Sequence, residues 1–246
     1  MMRIEPCATL DEIVLASRIL AQNGILDSFG HVSARHPDHP DRYLISRVRA
    51  PALVEASDIH VFDLDSVPMA DTGQRAFIER VIHGCIYRAR TDVMAACHHH
   101  SPAMLPFCIT DVALRPVFHL GATMGAVVPV WDSQAEFGDT NLLVGSNTQG
   151  KSLSSALGSH WTVLLRGHGV TTAGRSVKEL VFRTIYGQAN ARAQRVAMAM
   201  GAPRFLSDGE IAAAAEINLS PIAVDRAWEN WCRALDLRTD YATKYA

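Results

Sequence analysis

Three histidines stand in a row at His98-His99-His100, and a short apolar run at residues 93–97 leads straight into them. If that run is a strand that continues through the triplet, side chains two apart share a face. His98 and His100 then project together, and His99 points the other way. Two imidazoles at i, i+2 are one way to present two nitrogen ligands to a divalent cation; a polar loop with surface histidines is the plainer alternative. Cys97 borders the triplet and offers a soft thiolate to the same ion. A second apolar run, Thr162-Val163-Leu164-Leu165, ends in Arg166-Gly167-His168-Gly169. Glycine on both sides of a histidine lets the backbone approach a site closely and adopt unusual dihedrals. A catalytic ion takes about three protein ligands and keeps a position open for substrate. His98, His100 and His168, each at a strand end, would supply that set.

Glu79 lies in an apolar stripe at residues 76–88 (Phe77, Ile78, Val81, Ile82, Cys85, Ile86) with helical spacing. On spacing alone it pairs with Arg75 at i−4 or His83 at i+4. Placed beside the cation and partly desolvated, it would instead carry protons, because burial raises a carboxyl pKa toward neutrality.

The elements that must position these groups are marked by capping and periodicity. Thr9-Leu10-Asp11-Glu12 reads as a capping box opening a first helix, with Leu10, Ile13, Val14 and Leu20 at helical spacing and Gly24 closing it. Residues 28–41 read as loop and short strands, and Tyr43-Leu44-Ile45 and Ile59-His60-Val61-Phe62 as strands. Ser176-Val177-Lys178-Glu179 opens a long helix to about Met200, Ser207-Asp208-Gly209-Glu210 opens another, and residues 221–235 form the last. Strands and helices alternate without the regular period of a doubly wound sheet. This predicts an α/β fold, a single three-layer α/β/α domain over residues 1–246 with a mixed, mostly antiparallel central sheet, and C-terminal helices from about residue 205.

Composition excludes several classes of partner. With 48% hydrophobic and 20% charged residues and a net charge of −2, the 246-residue chain has a globular balance and no electrostatic footprint for nucleic acid or an anionic membrane. No apolar run reaches the roughly 18–20 residues of a bilayer span. The start, MMRIEPCATLDEI, lacks the layout of a signal peptide, so a cytoplasmic location is expected. The five cysteines (Cys7, Cys85, Cys97, Cys108, Cys232) form no CxxC pair. They indicate neither a disulfide framework nor a zinc ribbon, and most read as buried small hydrophobes.

Between about residues 10 and 200 the sequence resembles the class II aldolase/adducin family, typified by fuculose-phosphate and rhamnulose-phosphate aldolases. The likeness is carried in order by Phe29-Gly30-His31-Val32-Ser33-Ala34-Arg35, Tyr43-Leu44-Ile45-Ser46, Glu79 with His83 and Tyr87, and Arg90-Thr91-Asp92-Val93. It continues through His98-His99-His100-Ser101-Pro102 and Arg166-Gly167-His168-Gly169-Val170. The resemblance implies one divalent ion per subunit, Mn2+ or Zn2+, on His98, His100 and His168, with Glu79 as a ligand or proton-transfer residue. It also implies a homotetramer with active sites at subunit interfaces. His119 falls near the place where the sugar-phosphate aldolases bring a tyrosine acid across the interface, which makes it a second candidate catalytic residue.

The departures from the family pattern point to the substrate. Where the sugar-phosphate aldolases cradle a phosphate with Gly-Asn, Ser-Gly and Ser-Ser pairs, this chain has Gly30-His31, Ser46-Arg47 and Phe77-Ile78. Guanidinium forks on Arg47 and Arg49 suit a carboxylate, and Phe77 suits a flat ring. His31, Ser46, Arg47, Arg49 and Phe77 are therefore the expected substrate-binding set. The pattern looks like the family's decarboxylase branch, acting on hydroxylated aromatic or pyridine dicarboxylates such as dihydroxyphthalate or 3-hydroxy-2-methylpyridine-4,5-dicarboxylate of vitamin B6 breakdown. The expected reaction is a metal-dependent carboxy-lyase step through an enolate-like intermediate, with a small aromatic carboxylate as the only partner besides other subunits. The nearest alternative is an aldolase for an unphosphorylated hydroxy-keto acid. An adducin-like assembly domain without catalysis would have no need of the three histidines and the glutamate.

Overall fold

Apolar side chains alternate along the strands, and that alternation divides the molecule into two helical layers on one sheet. The computed structural model describes residues 8–245, with side chains described for 9–235. In chain order the elements are α1 (Ala8–Gln22), β1 (His31–Arg35), β2 (Arg42–Ser46), β3 (Ile59–Asp63), α2 (Arg80–Ala89), β4 (Ala95–His99), α3 (Leu105–Cys108) and β5 (Val130–Trp131). They continue with α4 (Ser133–Phe137), α5 (Asn147–Leu157), β6 (Thr162–Leu165), β7 (Gly169–Gly174), α6 (Val177–Met200), α7 (Asp208–Asn218) and α8 (Pro221–Tyr245). The sheet order is β3-β2-β1-β4-β7-β6-β5. Five pairs are antiparallel and the β5–β6 pair is parallel. This is the mixed, mostly antiparallel α/β/α arrangement that the patterning predicts.

On one face Val32 and Ala34 of β1, Leu44 of β2, and Ala95 and Cys97 of β4 pack against α1, α6 and Trp228 of α8. On the other, Tyr43 and Ile45 of β2, Ala96 of β4, and Val163 and Leu165 of β6 pack against α2 and α5. Each fully buried aliphatic side chain contributes roughly 1.5–3 kcal/mol. The same parity sends His31 and Ser33 of β1 to the α2 face, beside their register partners His98 and Ala96 on β4. Cys97 points into the opposite layer and takes no part in a histidine cluster.

Three element boundaries differ from the sequence reading. α2 begins at Arg80, not at residue 76, because Arg47 captures Ala76 in an antiparallel bridge and the Val48 amide donates to the Arg75 carbonyl. Glu79 is consequently the residue before α2, with φ −79° and ψ 9°, and its side chain makes no capping hydrogen bond. α1 already includes Ala8, so Thr9 lies inside the helix instead of capping it. α8 runs past residue 235 to Tyr245. The Ser207–Glu210 capping box forms in full. Ser176 caps α6, but Glu179 turns its carboxylate to Arg175 and Arg183. Arg35, buried, donates to the carbonyls of Pro40, Tyr87, Arg90 and Val93 and so closes the C-terminal end of α2. Cys85, Cys97 and Cys108 are buried thiols and Cys232 is half-buried; Cys7 lies outside the described residues. Among the described residues no helix is long and apolar enough to cross a membrane.

His83 of α2 is wholly enclosed, and burial pushes its imidazole down to about 3. In the unfolded chain the same group titrates near ~6.5. Between those values only the unfolded state binds the proton. The contribution is therefore complete above about pH 6.5 and is lost as pH falls toward 3, at up to about 1.4 kcal/mol per pH unit. Urea midpoints should be lower at about pH 5.5 than at about pH 7.5, and His83→Gln should narrow that gap. An equally wide gap in the variant would remove His83 as its source.

Candidate metal centre

The end of β4 and the β6–β7 turn bring the three expected histidines together. One ring nitrogen from each of His98, His100 and His168 lies within 4.8 Å of the others. Ring centroids are 4.8 Å apart for His98 and His168, 5.1 Å for His98 and His100, and 5.3 Å for His100 and His168. β4 supplies His98 directly, and His100 follows one residue past its end. Ser101 fixes that end, donating through Oγ to Gln188 of α6 at 2.6 Å. His99 faces the other way, as its parity requires, with Nε2 3.4 Å from Thr172 Oγ1.

His168 closes the three-residue turn between β6 and β7. Gly167 takes φ +68°, which a side chain would disfavour. A Cβ at Gly169 would sit 2.7 Å from the His99 carbonyl and 2.8 Å from Cδ2 of the His100 ring. The glycines flanking His168 thus do what the sequence suggests: one makes the turn and the other lets two strands' histidines meet.

The donor chemistry fits a divalent ion. Nδ1 of His98 contacts Thr171 Oγ1 at 3.3 Å, while its Nε2 is buried with no hydrogen-bond partner among the described residues. Nδ1 of His168 is likewise without a hydrogen bond, although the Leu142 carbonyl lies close enough to favour its protonated form. Burial, then the neighbouring His168, His31, His100 and His99, holds His98 well below the ordinary imidazole range. Burial and then His100 push His168 down to about 4. Both rings are neutral at physiological pH, the form that binds metal. The outer contact to Thr171 orients one ring, as the partners of metal-bound histidines commonly do.

Glu79 stands beside the triad. Its Oε2 is 3.7 Å from His98 Nε2 and its Oε1 is 3.8 Å from His168 Nε2, beyond hydrogen-bond range. Oε1 accepts the Val144 amide at 3.0 Å. Burial pushes the carboxyl up to about 7 against the lowering effect of that amide. Neither Arg75 nor His83 pairs with it; His83 bonds to His31 and Ser33 instead.

A cavity of about 650 Å³ opens onto this cluster, lined by Glu79, His100 and His168 together with His31, Arg49, Arg75 and Phe77. Its volume is ordinary for a small-molecule site. The rings of His31 and Phe77 are 4.5 Å apart. Arg49 Nε donates to the Leu53 carbonyl at 2.6 Å and lies 2.9 Å from Asp58 Oδ2, which leaves its two terminal nitrogens without a partner among the described residues. Arg47 also pairs with Asp58, at 2.6 Å, and it does not line the cavity. Ser46 is buried on β2, and His119 is exposed between α3 and β5; neither reaches the cavity of its own chain. Sequence reasoning missed Arg75 as a lining residue, seeing it only as a helical partner for Glu79. The signal was its place next to the Phe77–Glu79 segment in a chain already rich in guanidinium at residues 47 and 49.

Three imidazoles and a carboxylate gather at the strand ends in the middle of a mixed α/β/α sheet. Residues 11–195 match the Class II Aldolase and Adducin N-terminal domain, and the chain belongs to that family. Among its relatives is Decarboxylase tropJ of Talaromyces stipitatus, 33% identical over 242 residues that cover 89% of this chain and 90% of that protein. The 3,4-dihydroxyphthalate decarboxylase of Arthrobacter keyseri is 33% identical over 218 residues, 82% of this chain and 84% of that one. A solved aldolase II superfamily protein from Pseudomonas syringae shares the fold, with a TM-score of 0.80 over 96% of both chains at 23% identity.

Gly169→Ala must displace the His99 carbonyl or the His100 ring. It should keep the far-ultraviolet circular dichroism of the parent and weaken Zn2+ binding at least ~10-fold in a chelator competition titration; undiminished affinity would show that the turn does not position His100. His168→Ala should lose bound metal outright, and stoichiometric retention would overturn the ligand assignment.

Proposed function

We propose that this protein is a divalent-metal-dependent carboxy-lyase that decarboxylates a hydroxylated aromatic or pyridine dicarboxylate. One cavity joins a three-histidine cluster and a buried glutamate to a wall of guanidinium, imidazole and aromatic groups, and that combination is what carries the reading. The decarboxylase relatives support the reaction class, and the family supports the metal. A bound Mn2+ or Zn2+ would supply Lewis acidity for the electron pair released when the C–C bond breaks.

The remaining work falls to the chain's own residues. Arg49 and Arg75 offer free guanidinium ends to the carboxylate that stays, and His31 faces an anionic oxygen from the cavity floor. Phe77 packs against the flat ring of the substrate. Held this way, the carboxylate that leaves can stand out of the ring plane, where its bond overlaps the ring's π system. Oε1 of Glu79 is tied to the Val144 amide, so Oε2 is the atom on which a proton travels. Glu79 takes the proton of the substrate hydroxyl and returns it to the ring carbon that bears the leaving carboxylate. The C–C bond then breaks, CO2 departs, and its electron pair restores the aromatic ring. The exposed apolar rim of Phe29 and Ile78 at the cavity mouth suits burial at a subunit interface, and the proposal carries a homotetramer, as the family resemblance implies, and a cytoplasmic location.

Zn2+- or Mn2+-loaded protein, screened against hydroxylated benzene and pyridine dicarboxylates, should release CO2. Release of pyruvate or an aldehyde from hydroxy-keto acids instead would establish an aldolase. Glu79→Gln should retain its metal and lose about 10²–10⁴-fold in kcat, the usual scale for a lost general acid-base group. Wild-type turnover in that variant would take Glu79 out of the mechanism.

A further inference from the structure

A column of four polar side chains runs from the cavity into the layer between the sheet and α2. His31 Nδ1 lies 2.7 Å from His83 Nε2, His83 Nδ1 lies 2.5 Å from Ser33 Oγ, and Ser33 Oγ lies 2.7 Å from Tyr87 Oη. Ser33, His83 and Tyr87 are wholly buried, and His31 forms part of the cavity wall. The decarboxylation described above uses none of the three buried members.

Counting protons gives the column a direction. The Tyr87 hydroxyl has one proton and, among the described residues, one side-chain hydrogen-bond partner, Ser33 Oγ; the backbone beside it, at Ala96, offers a donor and not an acceptor. If Ser33 donated to Tyr87, the phenol proton would be a buried donor with no acceptor, an arrangement that folded proteins avoid. Tyr87 therefore donates to Ser33, and the Ser33 proton goes to His83 Nδ1. His83 must then carry its own proton on Nε2 and donate it to His31 Nδ1. The backbone N–H of Ala96 favours negative charge on the Tyr87 oxygen, as a donor beside an accepting oxygen does. With Nδ1 accepting, the proton of His31 sits on Nε2, the nitrogen that the column leaves for the cavity. Reversed, the column would turn a bare lone pair toward the cavity and repel an anion.

We infer that Tyr87, Ser33 and His83 are positioning residues that hold His31 as its Nε2–H tautomer, so that it donates a hydrogen bond to an anionic oxygen of the substrate. Only the identity of that oxygen rests on the carboxylate reading; the tautomer does not.

In full-length protein labelled with 15N-histidine and loaded with diamagnetic Zn2+, the His31 ring signals can be identified by their loss in His31→Gln. The wild type should show a protonated Nε2 and an unprotonated Nδ1, and the opposite pattern overturns the proposal whatever the activity. Ser33→Ala removes the donor to His83 and should move part of the His31 population to the Nδ1–H form. It should also raise KM for a dicarboxylate about 10- to 100-fold, the range for a lost hydrogen bond to a charged group, with a smaller effect on kcat. Ser33→Thr, which keeps the hydroxyl, should restore the wild-type tautomer. An unchanged tautomer in Ser33→Ala also overturns the proposal, and if that variant does not fold, the wild-type spectrum decides alone. An Nε2–H signal without CO2 release from any dicarboxylate would uphold the positioning role and discard the decarboxylase.

Discussion

A ring nitrogen sealed from solvent without a hydrogen bond is the constraint that the rest of this site answers. Nε2 of His98 is buried in that state, and its environment is hostile to the simplest remedy, protonation. The ring is enclosed, and His31, His100 and His168 crowd the space around it. A carboxylate lies within 4 Å, but at that distance it is beyond hydrogen-bond range and leaves the nitrogen unsatisfied. A buried polar atom is tolerated where something binds it. Three imidazoles converging beside one carboxylate suit a shared dication, which would satisfy the lone pairs and offset the carboxylate charge in a single contact. The glycines of the β6–β7 turn, the Thr171 contact and the Ser101–Gln188 bond all serve to hold that convergence.

What could be seen of this in the sequence followed from how local each feature is. The His98 and His100 pairing was legible because strand parity is a two-residue rule. The glycines around His168 were legible because they encode backbone geometry within one turn. Glu79 stood out as a residue, but its placement at the start of α2 did not. That boundary depends on Arg47 and Val48 reaching across to residues 75–76, a contact that no local pattern announces. Residues 101–160 were largely unread apart from His119, since their elements are short and weakly periodic. α5 was within reach: Ser146 and Gln149 form a capping box ahead of Leu153 and Leu157. The column from Tyr87 to His31 joins residues 50 to 54 positions apart at all three of its contacts. It became visible only once β1 and α2 were packed together.

The site separates what must be rigid from what can vary. The histidine cluster, His31 and its polar column sit on β1, on β4 and the residue after it, on α2 and on a tight hairpin, where strand register fixes each side chain to its neighbour. Groups held on regular elements keep the sub-ångström placement that proton transfer and ligation demand. Arg49, Arg75 and Phe77 come instead from the irregular segments on either side of β3, outside the regular strands and helices. Segments of that kind exchange side chains with little effect on the core. Under the proposed function, the change from a phosphate to a carboxylate falls partly on these segments, at Arg49 and Phe77, and partly on β1, where His31 stands. On the same reading the histidine cluster and Glu79 stay where the fold places them, because aldol cleavage and decarboxylation both break a C–C bond and leave an electron pair on carbon.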